Sequence, residues 1–584
     1  MIDPISLSVI WNGLVAVSEE IGVTLRRSAY SEGVREGRDF SAALFDVHGR
    51  MISQGDFSPG HLGSMPFAVR HVLGHYPLES FEPGDAVLVN DLYMGSGHLP
   101  DFFLTTPIFH RGTLRGFAVN CAHMVDVGGT GPGSQAVDVA DFYQEGLRLL
   151  PTKVYRRGEP IAELLRIIEA NVRVPEKVLG DLKAQRNASR IGELRMQELL
   201  DQHGAEAVLA CIEQIFDHSE AEMRRALRRI PAGTYVAEDY FDDYGEGTEP
   251  LKIRVAVTIR DGGVTFDFAG SSPQTHSGLN SLLNYTRAYC LFTIKSVTLR
   301  NDIPQNEGCL RPIAIVAPEG SLFNPRPPAA GGARPIMQQR IVDTLLLALA
   351  QAVPDQVIAN SCHWANPIYG GWDPRHQRPF VYYEMIIGGI GARPHKDGAD
   401  GLCSSFNLEN IPVEVNETNY PLIVERIEFV PDTGGPGRFR GGTALRKDVR
   451  VLGENVSFSN LAERQRFDPV GLFGGRGGGR GRTVLNPGAP GERVLHSKGI
   501  YRLSPGDVVS GMTSGSGGYG PPWDRDPQAV RADVRDGFVT RDGARRDYGV
   551  DLDPETLDIG EEETRALRAR MAADGPGEAP DQAR

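Results

Sequence analysis

Apolar residues recur at Ile10, Leu14, Val17, Ile21 and Leu25. Spacings of three and four put them on one face of a helix. Asp3-Pro4 supplies an N-cap and a first-turn proline, so the pattern predicts a helix beginning there. Strand-like apolar runs follow at 41–45, 86–90, 103–109 and 116–121, separated by glycine turns such as Gly95-Ser96-Gly97 and Gly128-Gly129. From 160 to 230 the helical spacing returns, carried by Leu179, Leu182, Ile191, Leu194 and Leu199. Beyond Pro231, Val255, Val257 and Ile259 alternate with polar residues. Val264, Phe266 and Phe268 do the same after Asp261-Gly262-Gly263, which is a hairpin signature. Another helix is predicted over 338–352. From Thr433 onward glycines punctuate short strands, and the acidic, Ala/Gly/Pro-rich end predicts a short helix and a frayed tail.

This order of elements predicts an α+β fold: a large multi-domain mixed architecture. Its expected parts are an N-terminal α/β region with a helical segment over 1–230, a central α+β region over 231–432, a β-rich, glycine-rich region over 433–560 and a flexible tail over 561–584. A chain of 584 residues is too long for one ordinary core. The 69 glycines and 40 prolines have no collagen-like period and signal turns and ordered loops.

Charge narrows the partners. A formal net charge of −14 repels phosphate backbones, so nucleic acid is not an expected ligand. No run of about 18 apolar residues suggests a membrane span, and the first residues lack a signal-peptide pattern. Six cysteines in so long a chain, none at zinc-site spacing, are no disulfide scaffold. The expected location is the cytoplasm.

Candidate chemistry concentrates between Asn90 and Gly129. His98 and Asp101 lie three residues apart on a glycine-flanked loop, and His123 follows a strand ending at Cys121. A strand end and a facing loop can bring two imidazoles and a carboxylate to one point, a donor set that suits Zn, Mn or Fe. Such an ion lowers the pKa of bound water from about 15.7 to about 7. A fourth donor is expected from Asp39, with Glu36 as the second choice. Asp91 and Asp126 are candidates to orient the imidazoles from behind. The bland alternative is a set of structural loop histidines. His48, His61, His71, His75 and His110 lack acid partners at ligand spacing, although His61, in Gly60-His61-Leu62-Gly63, sits on a turn that could face a cleft. The glycines and arginines of 474–481 could cradle an anion, but tight turns between strands explain them better. No phosphate-loop or dinucleotide motif is present.

Taken together, the motifs resemble the hydantoinase B family, which includes the C-terminal half of 5-oxoprolinase and the related acetone and acetophenone carboxylase subunits. Arg35-Glu36-Gly37-Arg38-Asp39-Phe40-Ser41 and His61-Leu62-Gly63-Ser64-Met65-Pro66 carry the likeness. So do His98-Leu99-Pro100-Asp101, His123 with Asp126-Val127-Gly128-Gly129, Glu145-Gly146-Leu147, Asn171-Val172-Arg173, Asp267-Phe268-Ala269-Gly270 and Asn324-Pro325-Arg326-Pro327-Pro328. The family's Glu-Arg ahead of Asp-Phe-Ser is altered here, with Glu36 followed by Gly37. The resemblance implies a metal at His98, Asp101, His123 and Asp39. It also implies a hetero-oligomer with a hydantoinase A-type subunit that binds ATP. The implied activity is ATP-dependent opening of a cyclic amide (a hydantoin, 5-oxoproline or a lactam): the partner phosphorylates the amide oxygen and this subunit assists attack on the carbon. Asp126 or Glu145 is the expected base. The alternative is a subunit of an ATP-dependent ketone carboxylase.

Overall fold

The computed structural model describes residues 3–299 and 303–575. The N-terminal helix spans Pro4–Ser28, and the Asp3 carboxylate accepts hydrogen bonds from the Ile5 and Ser6 amides. Its predicted apolar face, Ile10 to Leu25, is buried.

Behind it lies a seven-stranded antiparallel sheet: β1 (Phe40–Phe45), β2 (Met51–Gln54), β3 (Ala86–Val89), β4 (Asp101–His110), β5 (Thr113–His123), β6 (Thr152–Arg156) and β7 (Glu159–Pro160), in spatial order β2-β1-β5-β4-β3-β6-β7. Both faces are covered. Ala42, Leu44, Phe102, Leu104 and Ala118 pack toward Pro4–Ser28 and the long helix Pro175–His203. Residues of the opposite parity, including Ala43, Phe103 and Val119, pack against a helix over Pro59–His75. Strand alternation assigns these two sets to opposite faces, and it places Asp101, Cys121 and His123 on the side of the Pro59–His75 helix.

That helix is not legible from propensity, because Gly60, Gly63, Ser64 and Pro66 all disfavour one. Tertiary contact selects it instead. A Cβ on Gly63 would stand 2.4 Å from the Cα of Ala288, which belongs to the crossing helix Leu283–Thr298. The glycine lets the two helices touch backbone to backbone. Gly63→Ala is therefore expected to cost about 1–3 kcal/mol through overpacking, read as a lowered urea midpoint at unchanged m-value.

The predicted hairpin is present. β9 (Leu251–Arg260) and β10 (Gly263–Asp267) join through Asp261 and Gly262, both at positive φ, in a four-stranded sheet with β8 (Gly233–Phe241) and β11 (Ile313–Val316). The helix Gln338–Ala350 lies against β8 and β9. Two further antiparallel sheets follow. One has the order β13-β12-β16-β19, built from β12 (Asn366–Asp373), β13 (Arg378–Tyr383), β16 (Glu454–Leu461) and β19 (Lys498–Leu503). The other has the order β14-β15-β20-β17-β18, built from β14 (Leu422–Val430), β15 (Ala444–Val451), β17 (Arg482–Leu485), β18 (Arg493–Leu495) and β20 (Val508–Met512). Strands from either side of residue 432 share both sheets.

The glycine run 474–481 is not an anion cradle. A Cβ on Gly475 would meet the Gly518 carbonyl oxygen at 2.2 Å, and one on Gly478 the Ser516 amide at 2.6 Å. These glycines allow two chain segments to approach backbone to backbone. The expected short terminal helix is present as Glu561–Asp574, so a flexible tail does not begin at 561; the residues beyond Gly575 lie outside the described residues.

Candidate metal centre

Three neighbouring strands deliver the site. Asp101 opens β4 and is paired across the sheet with His123, the last residue of β5. Asp39 immediately precedes β1, and its carbonyl accepts the His123 amide at 3.1 Å. His98 arrives on the loop before β4, which Asn90 ties down by donating to the Leu99 carbonyl at 2.7 Å. Asp39, His98, Asp101 and His123 are all buried.

Three of the four predicted donors, His98, Asp101 and His123, thus converge, while the Asp39 carboxylate stands beside them, 3.6 Å from His61. His123 Nδ1 is 2.8 Å from Asp101 Oδ1, and His98 Nε2 is also 2.8 Å from that oxygen. The second contact is close but poorly aligned, and neither ring nitrogen of His98 makes a hydrogen bond. Asp39 Oδ1 is likewise buried without a hydrogen-bond donor. The ligand atoms of His98, Asp101 and His123 lie within 4.8 Å of one another.

Three participants escape sequence reasoning. His61, which has no acid partner nearby in sequence, lies on the first turn of Pro59–His75. Its Nε2 is 3.3 Å from Asp101 Oδ2 and 3.6 Å from Asp39 Oδ1. Its signals in the sequence are the turn beside Gly60 and Gly63 and its place at the head of the motif His61-Leu62-Gly63-Ser64-Met65-Pro66. Arg334 donates to Asp101 Oδ2 at 2.6 Å while its guanidinium lies 3.7 Å from the centre of the Tyr285 ring. Tyr383 packs against the His123 ring at 4.7 Å between centroids, with its hydroxyl 3.4 Å from Asp39 Oδ2.

Electrostatics set the imidazoles apart. Burial, and then the charge of Arg334, pulls His98 down to about 3, so it is neutral with a lone pair to offer. Burial also opposes charge on His61, but the Asp101 and Asp39 carboxylates outweigh it and raise its pKa. Asp101 is held well below the usual carboxylate range, because its polar neighbours, His61, Arg334 and His123 among them, outweigh the cost of burial. His61, Asp101 and Cys121 form a second close grouping, but burial, with Asp101 and Asp39 nearby, pushes the Cys121 thiol far up. None of the six cysteines is in a disulfide.

Three other candidates do not reach the cluster. Glu36 is paired with Arg35 at 2.9 Å at the end of a short helix and is partly exposed. Asp91 caps the Tyr93 and Met94 amides and pairs with Arg148. Asp126 pairs with Arg173 at 2.7 Å and accepts the amides of Gly128, Gly133 and Arg173, pinning the glycine loop. Short carboxylates beside glycines satisfy backbone donors in preference to distant imidazoles.

Glu145, the other expected base, accepts the Gly331 and Gly332 amides through Oε1. It thereby holds the turn from which Arg334 reaches Asp101. Its Oε2 is buried without a partner, and burial pushes this carboxyl up to about 8. A folded-state pKa above the ordinary 4.5 means the native state retains a proton that the unfolded state has lost. Stability from this group is therefore greatest below about 4.5 and falls as pH rises toward about 8. Glu145→Gln is expected to flatten the Tm profile over that window, so that Tm of the variant minus Tm of the parent grows from pH 5 to pH 8. A constant difference would refute the assignment.

Sheet ends, loop and helix thus enclose a buried cluster of imidazoles and carboxylates. The Hydantoinase B/oxoprolinase family pattern matches residues 3–522. A protein of Pseudomonas sp. (strain NS671), named for the B component of a D-/L-hydantoinase, is 36% identical over 585 residues, covering 97% of this chain and 98% of that one. The crystal structure of ATP-dependent caprolactamase from Pseudomonas jessenii superposes with a TM-score of 0.91 at 31% identity, covering 97% of this chain and 100% of that chain. A nucleotide-free acetone carboxylase superposes with a TM-score of 0.91 at 20% identity, covering 98% of this chain and 83% of that chain, a likeness of fold. The chain belongs to the Hydantoinase B/oxoprolinase family. Among the described residues no helix is long and apolar enough to cross a membrane.

Proposed function

We propose that this chain is the ring-opening subunit of an ATP-dependent cyclic-amide hydrolase, working with a separate ATP-binding subunit. One observation carries the reading: in a chain of this family, two imidazoles and a carboxylate converge in the interior, with a second buried carboxylate, Asp39, close by and donor atoms left unused. Buried polar atoms are normally paired, and here the His98 ring nitrogens and Asp39 Oδ1 are not. That is what a cation-binding cluster requires, so His98, Asp101, His123 and Asp39 are assigned as the residues that hold a divalent ion. Such an ion, when bound, polarises a carbonyl or phosphoryl oxygen and acidifies water.

The chain's own residues then have distinct tasks. His98 and His123 offer ring nitrogens to the cluster. Arg334 and Ser96 occupy Asp101 Oδ2, which leaves Oδ1 toward the imidazoles. Gln135 Nε2 lies 3.2 Å from His123 Nε2 and is itself fixed by Asn366, so it orients the ring. His61 sits where it can hold a proton between Asp39 and Asp101. An unstrained amide is slow to open because resonance stabilises its C–N bond. Phosphorylation of its oxygen by the partner removes that resonance: water adds to the carbon, the C–N bond of the tetrahedral adduct breaks as nitrogen takes a proton, and the acyl phosphate so formed is hydrolysed to carboxylate and phosphate, with the buried cluster supplying the polar surroundings.

The test is an assay of the chain combined with its ATP-binding partner. ATP-dependent consumption of hydantoin, 5-oxoproline or caprolactam, independent of bicarbonate, is the expected result. ATP hydrolysis that requires bicarbonate and a small ketone, with no lactam or hydantoin consumed, would assign the chain to carboxylation instead.

A further inference from the structure

Gln338, the first residue of the Gln338–Ala350 helix, is fully buried, and its Oε1 accepts hydrogen bonds from two phenols. The Tyr289 hydroxyl donates to it at 2.6 Å, and the Tyr285 hydroxyl donates to it as well. Both tyrosines are fully buried and lie one turn apart on Leu283–Thr298, with ring centroids 4.9 Å apart. An amide oxygen has two lone pairs, so one side chain can satisfy both hydroxyls. Burial pushes Tyr285 up to about 12, so its hydroxyl keeps the proton that it donates.

This pair of phenols touches two arms of the histidine cluster. The Tyr285 ring lies 3.7 Å from the Arg334 guanidinium, which donates to Asp101 Oδ2. A Cβ on Gly60, the residue before His61, would stand 2.9 Å from Tyr285 Cε2 and 2.9 Å from the Tyr289 oxygen, so the turn that carries His61 rests directly on both rings. Arg334 is also gripped along the chain. Glu145 holds the Gly331 and Gly332 amides ahead of it, and the turn Arg334–Met337 runs straight into Gln338 behind it. The contacts close a ring: Gln338 to Tyr285, Tyr285 to Arg334, and Arg334 through one turn of chain back to Gln338. We propose that Gln338 is a positioning residue for the cluster: through Tyr285 and Tyr289 it sets Arg334 on Asp101 and the turn of His61 against the two carboxylates. Its consequence for a bound ion rests on the metal reading above; the clamp rests on these contacts alone.

The test separates positioning from plain stability. Gln338→Met orphans two buried hydroxyls, which destabilises the fold whatever the clamp does for the cluster. Combining it with Tyr285→Phe and Tyr289→Phe removes both sides of the contact, so the urea midpoint of the triple variant is expected to return toward the parent. Its affinity for Zn²⁺ and Mn²⁺, by calorimetric titration of the full-length chain, is expected to stay about 10-fold or more below the parent, the scale typical of groups that stand behind metal ligands. Hydrogen exchange is expected to quicken at the amides of residues 58–62 and 331–338 and to stay parental elsewhere. Tyr285→Phe alone keeps the ring under Arg334 and the Tyr289 hydrogen bond; as the mildest variant it should quicken exchange at 331–338. Parental metal affinity in the stable triple variant, or parental exchange at both segments, would overturn the proposal. Should the parent take up neither ion, the metal reading falls and exchange alone decides: faster exchange at the two segments upholds the clamp, and parental exchange removes it.

Discussion

Replacing His123 with alanine is expected to remove the bound divalent ion and lower ATP-dependent ring opening by about 10³-fold or more, roughly 4 kcal/mol of barrier. His123 ends β5 with its amide on the Asp39 carbonyl and its Nδ1 2.8 Å from Asp101 Oδ1, so strand pairing and imidazole together bring the two acids to one place. Alanine preserves the strand but deletes one of two nitrogen donors, leaving Asp39 and Asp101 with His98. His98→Ala should act alike. Gln135→Ala should cost less, about 10–100-fold, because it removes only the group that orients the ring. Glu36→Gln, outside the cluster, should leave metal content and turnover at parental levels. Metal per chain by elemental analysis, measured beside turnover, separates loss of the ion from loss of the fold. Parental turnover in metal-free His98→Ala and His123→Ala proteins would end the mechanism.

How far does the sequence lead? The donors His98, Asp101 and His123 are legible because strand ends and a three-residue loop spacing constrain where they point. Asp39 is legible because it abuts a strand in the same sheet. His61 is hidden, since its acid partners lie 22 and 40 residues away and its helix forms against local propensity. Arg334 is hidden for the same kind of reason: 233 residues separate it from Asp101, and only folding of Gly331 and Gly332 onto Glu145 sets its reach. The carboxylates at 126 and 145 show the opposite error. Both lie close to the chemistry in sequence, and both are taken up by backbone amides. The β9–β10 hairpin is readable from its turn. Sheet membership of β12 to β14 is not, because long-range strand pairing leaves no local trace in polarity.

A comparable long-range arrangement governs stability, and Arg464→Met is expected to cost about 3–5 kcal/mol. Arg464 is fully buried after β16. Its Nη2 lies 2.8 Å from Asp239 on β8 and 3.3 Å from Asp343 on the Gln338–Ala350 helix, and its Nη1 donates to the Asp468 carbonyl. Arg340 joins Asp239 to Asp242 and Glu463, and Lys498 on β19 joins Glu463 to Asp243. The network therefore couples the sheet that holds β8 to the sheet that holds β16 and β19. Methionine fills most of the arginine's volume but leaves Asp343 with no cation and Asp239 with Arg340 alone. Asp343 already sits up at about 6, chiefly because of burial, so it would take up a proton instead of remaining charged. Two measurable consequences follow. The urea midpoint of Arg464→Met should fall sharply at pH 8 and less at pH 5, where the orphaned carboxyl can be neutral. Adding Asp343→Asn should recover part of the loss, a coupling between contacting sites that independent contributions would not show. An Arg464→Met protein with parental stability at both pH values would mean that the buried ions do not hold these two sheets together.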